Sequence, residues 1–245
     1  MKLSVYFTPL AVNPSVVTGK PVLVIDILRA TSTMVTALAN GARSIVPAET
    51  ADEAMRMVQN LESDDLVLAG ERNLAPIEGF DLGNSPLEMT PEAVGGKQLV
   101  MTTTNGSAAL AAAAPGNPVL IGAALNFSAA ARVAREALDR AGEIVIVCAG
   151  RERMFALEDA YAAGRFAQSL VQGRGRSAVE LNDGAIAARE LVRRYGDRWR
   201  RAVSASAAAR ALKVAKLKAD VDAATECDTF DIVPHYENKL VSVPS

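Results

Sequence analysis

The chain of 245 residues is half apolar, 22% charged and close to neutral at −2, so it can bury a sizeable core. That balance, with aromatic residues at only 4%, argues against the electrostatic and stacking footprint of a nucleic-acid binder. No apolar run reaches membrane-span length, no leader is read in "MKLSVYFTPLAV", and Cys148 and Cys227 make neither a disulfide framework nor a zinc site. A soluble cytoplasmic protein without a membrane partner is expected.

"KLSVYF" predicts a first strand, followed by a turn-rich stretch through Pro9, Pro14 and Gly19. Short runs rich in Val, Ile and Leu come next: "PVLVID", "ARSIVPA", "DLVLAG", "QLVMTT", "NPVLIGA" and "EIVIVCAG". Runs that are apolar on both faces suit a parallel sheet covered by helices. Between them the spacing predicts helices over 33–40, 51–61, 107–113 and 128–141, with Gly41 and Gly142 as stops and Thr50/Glu53 as a capping box. Beyond Leu157, Ala/Arg/Leu-rich periodicity predicts a helical cluster over 158–172, 182–195 and 204–224. "FDIVPHYENKLVSV" reads as an added edge hairpin. The expected fold is three-layer α/β/α with a mixed, mostly parallel sheet. It forms one domain over 1–245, or else two intimately packed lobes, 1–156 and 157–245.

Polar chemistry recurs where strands end and helices begin. The first such turn holds Asp26, Arg29, Thr31, Ser32 and Thr33. The second holds Thr103, Thr104, Asn105, Gly106 and Ser107, and the third Cys148, Arg151, Glu158 and Asp159. Carboxyl ends of parallel strands form ligand crevices, and helix N-termini welcome anions, so two hydroxyl-rich anion cradles are expected at one sheet edge. Arg29 adds a planar fork for phosphate, sulfonate or carboxylate. Asp26 would repel an anion, which suits a metal ligand or a general base. The plainer reading is that these hydroxyls and acids merely cap helices. A long irregular loop adds Glu71, Arg72, Asp81, Asn84 and Ser85. Asp26, Asp81, Glu158 and Asp159 supply the hard oxygens that Mg²⁺ prefers.

Other chemistries lack their signatures. "VGGKQ" has neither the spacing nor the hydroxyl of a phosphate-binding P-loop, and His235 has no partner for a triad. "CAGRER" places Met154 where a cysteine phosphatase needs arginine, and Leu28 stands where an aspartate-nucleophile phosphatase needs its second acid.

Taken together, "VIDILRATST", "GER", "GFDLGNSP", "TTTNGS" and "CAG…LEDAYAAG" are collinear, and the sequence resembles the 2-phosphosulfolactate phosphatase family from "YFTPL" to about Pro234. Ser107 stands where the family pattern has Thr and keeps the hydroxyl. The resemblance implies a Mg²⁺-dependent phosphatase that converts 2-phospho-3-sulfolactate to 3-sulfolactate on a route to coenzyme M. In that reading Asp26, Asp81 and a carboxylate of Glu158/Asp159 hold the metal. Arg29 and the Thr31–Thr33 amides clamp the phosphoryl group, while Thr103–Gly106, Arg72 and Arg151 take the other anionic groups. Glu71 or Asp159 handles water or the leaving-group proton. A covalent route through Cys148 or Ser85 is the alternative mechanism. A non-catalytic anion sensor and a sugar-phosphate isomerase or lyase are the alternative functions. A homodimer is the generic expectation for such an enzyme.

Overall fold

The structure, a computed structural model, describes residues 1–61, 65–175 and 178–244. In chain order the strands are β1 (Lys2–Tyr6), β2 (Val22–Ile25), β3 (Ser44–Ala48), β4 (Leu66–Arg72), β5 (Ala75–Pro76), β6 (Gln98–Thr102), β7 (Val119–Gly122), β8 (Glu143–Cys148), β9 (Glu180–Leu181), β10 (His235–Glu237) and β11 (Leu240–Ser242). The helices are α1 (Pro14–Val17), α2 (Ala30–Ala39), α3 (Ala51–Leu61), α4 (Pro91–Val94), α5 (Gly106–Ala113), α6 (Phe127–Ala141), α7 (Leu157–Val171), α8 (Asp183–Tyr195), α9 (Trp199–Ser204), α10 (Ala207–Val214) and α11 (Lys218–Ala223). Among the described residues no helix is long and apolar enough to cross a membrane.

The sheet runs β5-β4-β6-β3-β11-β10-β7-β2-β8-β1-β9 and is mostly parallel, with helices on both faces. The predicted edge hairpin is instead central: β10 pairs with β7 and β11 with β3. The reason is the edges it covers. Without it, β3 and β7 would each present an unpaired row of backbone groups, and Val241 is buried completely in the gap. Each of these junctions is narrow, a single antiparallel pair, Val241 with Ile45 and His235 with Leu120. Because β7–β10, β10–β11 and β11–β3 are all antiparallel, the β3 half runs opposite to the β7 half along the ladder.

Burial explains how the halves still meet. Leu23 and Ile25 of β2 face one core with Tyr161 and Phe166 of α7. Val22 and Val24 face the other way, into a core that also takes Ile45, Leu99 and Met101 from the opposite half and Met34 and Leu110 from α2 and α5. Helices α2 and α5 thus lie in a core shared by both half-sheets, and their N-termini are brought together. Thr50 accepts the Glu53 N–H at 3.1 Å as predicted, but the Glu53 carboxylate reaches the N–H of Glu49, 2.8 Å away. Gly142 ends α6 at φ 76°, a left-handed position favouring glycine.

The predicted 204–224 helix is two short ones, α10 and α11, and α9 just before them was not predicted. Ser206 follows α9 and caps α10 through Ala209 N–H at 3.0 Å, and Lys216 turns the chain at φ 63°. This C-terminal cap exposes Arg198, Arg200 and Arg201, with Arg200 paired to Asp222.

Candidate active site

Asp26 is the first residue beyond β2. Thr31 Oγ1 donates to its carbonyl at 2.8 Å and accepts its N–H at 3.0 Å, while Ala30 N–H reaches the carboxylate at 3.3 Å. The N-terminus of α2 is therefore capped by Asp26 itself, and the expected phosphate cradle is a bracket that aims a carboxylate. Ser32 donates to Ile27 O at 2.9 Å and Thr33 to Asn84 O at 3.0 Å. All three predicted hydroxyls are buried and turned to backbone. None lines the cavity described next.

That cavity, about 150 Å³, is walled by Asp26, Arg29, Glu71, Asn84, Thr104 and Arg151 among others. Thr103 and Asn105 belong to it too, along with Leu28, Asn73, Leu74 and Glu152, which the sequence reading did not single out. The two half-sheets are stitched together here. Glu71 accepts from Leu74 N–H at 2.8 Å and from Thr104 N–H at 2.9 Å, joining the β4 turn to the β6–α5 turn. Asn105 Oδ1 accepts from Glu152 N–H at 3.0 Å, joining the latter turn to the β8–α7 loop. Thr103 and Ser107 cap each other: Ser107 Oγ accepts the Thr103 N–H at 3.3 Å, and Thr103 Oγ1 the Ser107 N–H at 3.2 Å. Gly106 lines no part of the cavity, but a Cβ there would strike Ala30 Cβ and come within 3.0 Å of Asp26 Oδ2. Glycine is what lets α2 and α5 close on the acid.

Burial, reinforced by the neighbouring Glu158 and Glu71 carboxylates and opposed by Ala30 N–H and Arg29, pushes the Asp26 carboxyl up to about 7. Arg29 is only 5% exposed, and its peptide bond to Leu28 is cis. Its Nη1 donates to Asp220 at 2.5 Å, and its Nη2 lies 3.5 Å from Leu74 O. Ser85, expected to touch substrate, instead donates to the other Asp220 oxygen at 2.7 Å. Nothing local in "KADVDA" marks Asp220. Its partner Arg29 is 191 residues away in the chain, so only the folded chain reveals it.

Several predicted residues lie elsewhere. Asp81 is exposed beside β4, where its carboxylate accepts the Leu68 N–H at 2.9 Å. Arg72 is exposed in the β4–β5 hairpin. Asp159 is buried with both oxygens taken, by Ile27 N–H at 2.9 Å and Gly150 N–H at 3.0 Å; it braces two loops against each other. Burial and the Asp26 and Glu158 charges raise its proton affinity. Burial also raises that of Glu158, which lines a neighbouring cavity of about 220 Å³ with Arg151, Ser206 and Arg210. Cys148 is fully buried at the end of β8 and does not line the cavity; its Sγ is 3.5 Å from Asp159 O. Burial and three nearby carboxylates push its thiol well above the usual range, which disfavours a nucleophilic thiolate.

Of the four acids expected to share Mg²⁺, Asp81 stands apart from Asp26, Glu158 and Asp159. Among the described residues no group of three or more His, Cys, Asp or Glu is placed to hold a metal ion. The cavity does offer two buried carboxylates, Asp26 and Glu71, besides the exposed Glu152 that pairs with Arg151, and Asn84 Oδ1 and Thr104 Oγ1 are buried without partners. Mg²⁺ is commonly held by one or two carboxylates completed by phosphate oxygens and water. That donor set fits the ion in this smaller form.

An α/β sheet with acids, guanidinium groups and unpartnered oxygens gathered in one crevice beyond its strand ends has the form of an enzyme active site. The 2-phosphosulpholactate phosphatase family model matches residues 6–239. The chain belongs to that family, whose name is that of a phosphoric monoester hydrolase. A protein of Caldanaerobacter subterraneus subsp. tengcongensis named "Probable 2-phosphosulfolactate phosphatase" is 38% identical over 98% of both chains. A like-named protein of Deinococcus radiodurans is 41% identical over 86% of this chain and 85% of its own. Another, from Clostridium botulinum, is 33% identical over 98% and 99%.

Proposed function

We propose that this chain hydrolyses the phosphate ester of a small phosphorylated acid, with 2-phospho-3-sulfolactate as substrate and 3-sulfolactate and phosphate as products. The observation that carries this reading is the single cavity that brings Asp26, Glu71, Arg29 and Arg151 together from both half-sheets. Its family membership supports the substrate.

Charge balance supports a divalent cation. Arg29 is already matched by Asp220 and Arg151 by Glu152, while Asp26 and Glu71 add further acid, so the walls alone offer a polyanion little net attraction. Mg²⁺ would be held by Asp26 and Glu71 with Asn84, supplying Lewis-acid stabilisation of charge on the phosphoryl oxygens. Such a partner would also keep the buried Asp26 carboxyl ionised at neutral pH, against the burial that favours its proton.

The chain's own groups then divide the work. The Arg29 N–H groups engaged neither by Asp220 nor by Leu74 O are the donors for the phosphoryl oxygens. Arg151, Thr104 and Asn105 bind the substrate's other acidic groups on the opposite wall. Glu71, fixed by two backbone N–H groups, orients the attacking water through its remaining lone pairs. We place this activity in the cytoplasm.

A phosphate-release assay over small phosphorylated carboxylic and sulfonic acids tests the reading. Turnover of 2-phosphosulfolactate is expected, lost on chelation and restored by Mg²⁺. Ligand-induced thermal stabilisation with no phosphate released would make the chain a binding protein instead.

A further inference from the structure

We infer that Asp220, in the C-terminal helical cap, is the positioning residue that sets the Arg29 fork for the phosphoryl group. This rests on the reading of the Asp26 cavity as a phosphate-ester site.

Asp220 is 2% exposed although its neighbours Lys218 and Ala219 are exposed, so α11 turns one acid inward. Each of its oxygens takes one side-chain donor, Arg29 Nη1 at 2.5 Å and Ser85 Oγ at 2.7 Å. Ser85 is itself fixed, because its Oγ also accepts the Leu87 N–H at 3.2 Å in the short helical turn Pro86–Glu88 that α11 packs against. The carboxylate is therefore anchored from a side other than Arg29, which a simple neutralising counter-ion does not require.

A guanidinium has five N–H donors in one rigid plane. Asp220 holds Nη1 at short range and Leu74 O takes one Nη2 hydrogen at 3.5 Å, which together fix the plane and leave the remaining N–H groups of the fork to a ligand. A buried guanidinium without such a partner would carry an uncompensated charge and be free to turn. The cost of the pairing is net charge: Arg29 brings direction to the phosphoryl oxygens rather than surplus positive potential. The geometry also makes the cap part of the site. Arg29 and Asp220 come from opposite ends of the chain, so the fork is set only when α11 is docked.

The experiment is a double-mutant cycle on the full chain, assayed for 2-phosphosulfolactate hydrolysis with melting temperature measured in parallel. Asp220→Asn is expected to lower kcat/KM at least tenfold, chiefly through kcat. Asp220→Glu should recover part of that loss, because the charge is restored one methylene away. In an Arg29→Lys background the Asp220→Asn loss should shrink to less than threefold, since no fork remains to be set. A lower melting temperature with unchanged kcat/KM, or losses that multiply in the double variant, would overturn the proposal and leave Asp220 a structural ion-pair partner. Unchanged kcat/KM in Arg29→Lys alone would instead remove Arg29 from the phosphoryl site and so sink the underlying reading. Should Asp220→Asn fail to fold, Ser85→Ala loosens the same carboxylate from its other side. It is expected to cost about threefold in kcat/KM with Arg29 present and nothing in Arg29→Lys; equal losses in both backgrounds refute the positioning role.

Discussion

The turns "RATST" and "TTTNGS" are both rich in hydroxyls and both open helices, yet they do different things. In the first, every hydroxyl of Thr31, Ser32 and Thr33 is spent on backbone, and the turn serves to hold Asp26. In the second, Thr103 and Ser107 cap each other while Thr103, Thr104 and Asn105 form cavity wall, and Thr104 Oγ1 has no partner. A hydroxyl-rich helix start is therefore not in itself a ligand cradle. What separates brace from wall is which polar atoms the fold leaves unsatisfied, since buried groups are otherwise paired.

The sharpest break of that comparison is at the acid that the first turn holds. Asp26→Asn should reduce phosphate release on the order of a thousandfold, with the melting temperature close to that of the parent. Near-parental turnover would remove Asp26 from the chemistry. Glu71→Gln, across the cavity, should lose about a hundredfold, and steady-state kinetics at saturating Mg²⁺ will show whether the loss lies in kcat. Gly106→Ala attacks the contact between the two turns. Its Cβ would collide with Ala30 and press on Asp26, so stability should fall by about 1–3 kcal/mol together with activity, read from denaturant melts and assays on the same preparation.

The matched pair Thr31→Val and Thr104→Val tests brace against wall directly. Thr31→Val should cost about 1–3 kcal/mol of stability by stranding the backbone of Asp26. Thr104→Val should leave stability within about 0.5 kcal/mol and instead raise KM. The reverse pattern would mean that the roles have been exchanged. The smallest effect is expected at Cys148→Ala, where a buried, protonated thiol is removed: activity should stay within about twofold of the parent, at roughly 1 kcal/mol in stability.

Much of the framework was legible because it is written in local patterns. The apolar runs that became β2, β6, β7 and β8 read correctly, as did the helix at 51–61, since burial on both faces and helical spacing leave signatures within a few residues. The site was legible only in part. Asp26, Glu71, Arg29, Asn84, Thr103, Thr104, Asn105 and Arg151 do share one cavity. Asp81 and Arg72 looked equally suited but are exposed, because polar residues in a long loop give no sign of which way they will turn.

By itself, then, the sequence determined most of the strands, most of the helices and the types of residue at their junctions, because short-range hydrophobic pattern and capping chemistry control those. Only the tertiary structure decided that the terminal hairpin would join two opposed half-sheets, that α2 and α5 would meet at Gly106, and that Asp220 would hold Arg29. These are pairings between distant segments. Their energies depend on which groups are excluded from water together, and no stretch of chain records that on its own.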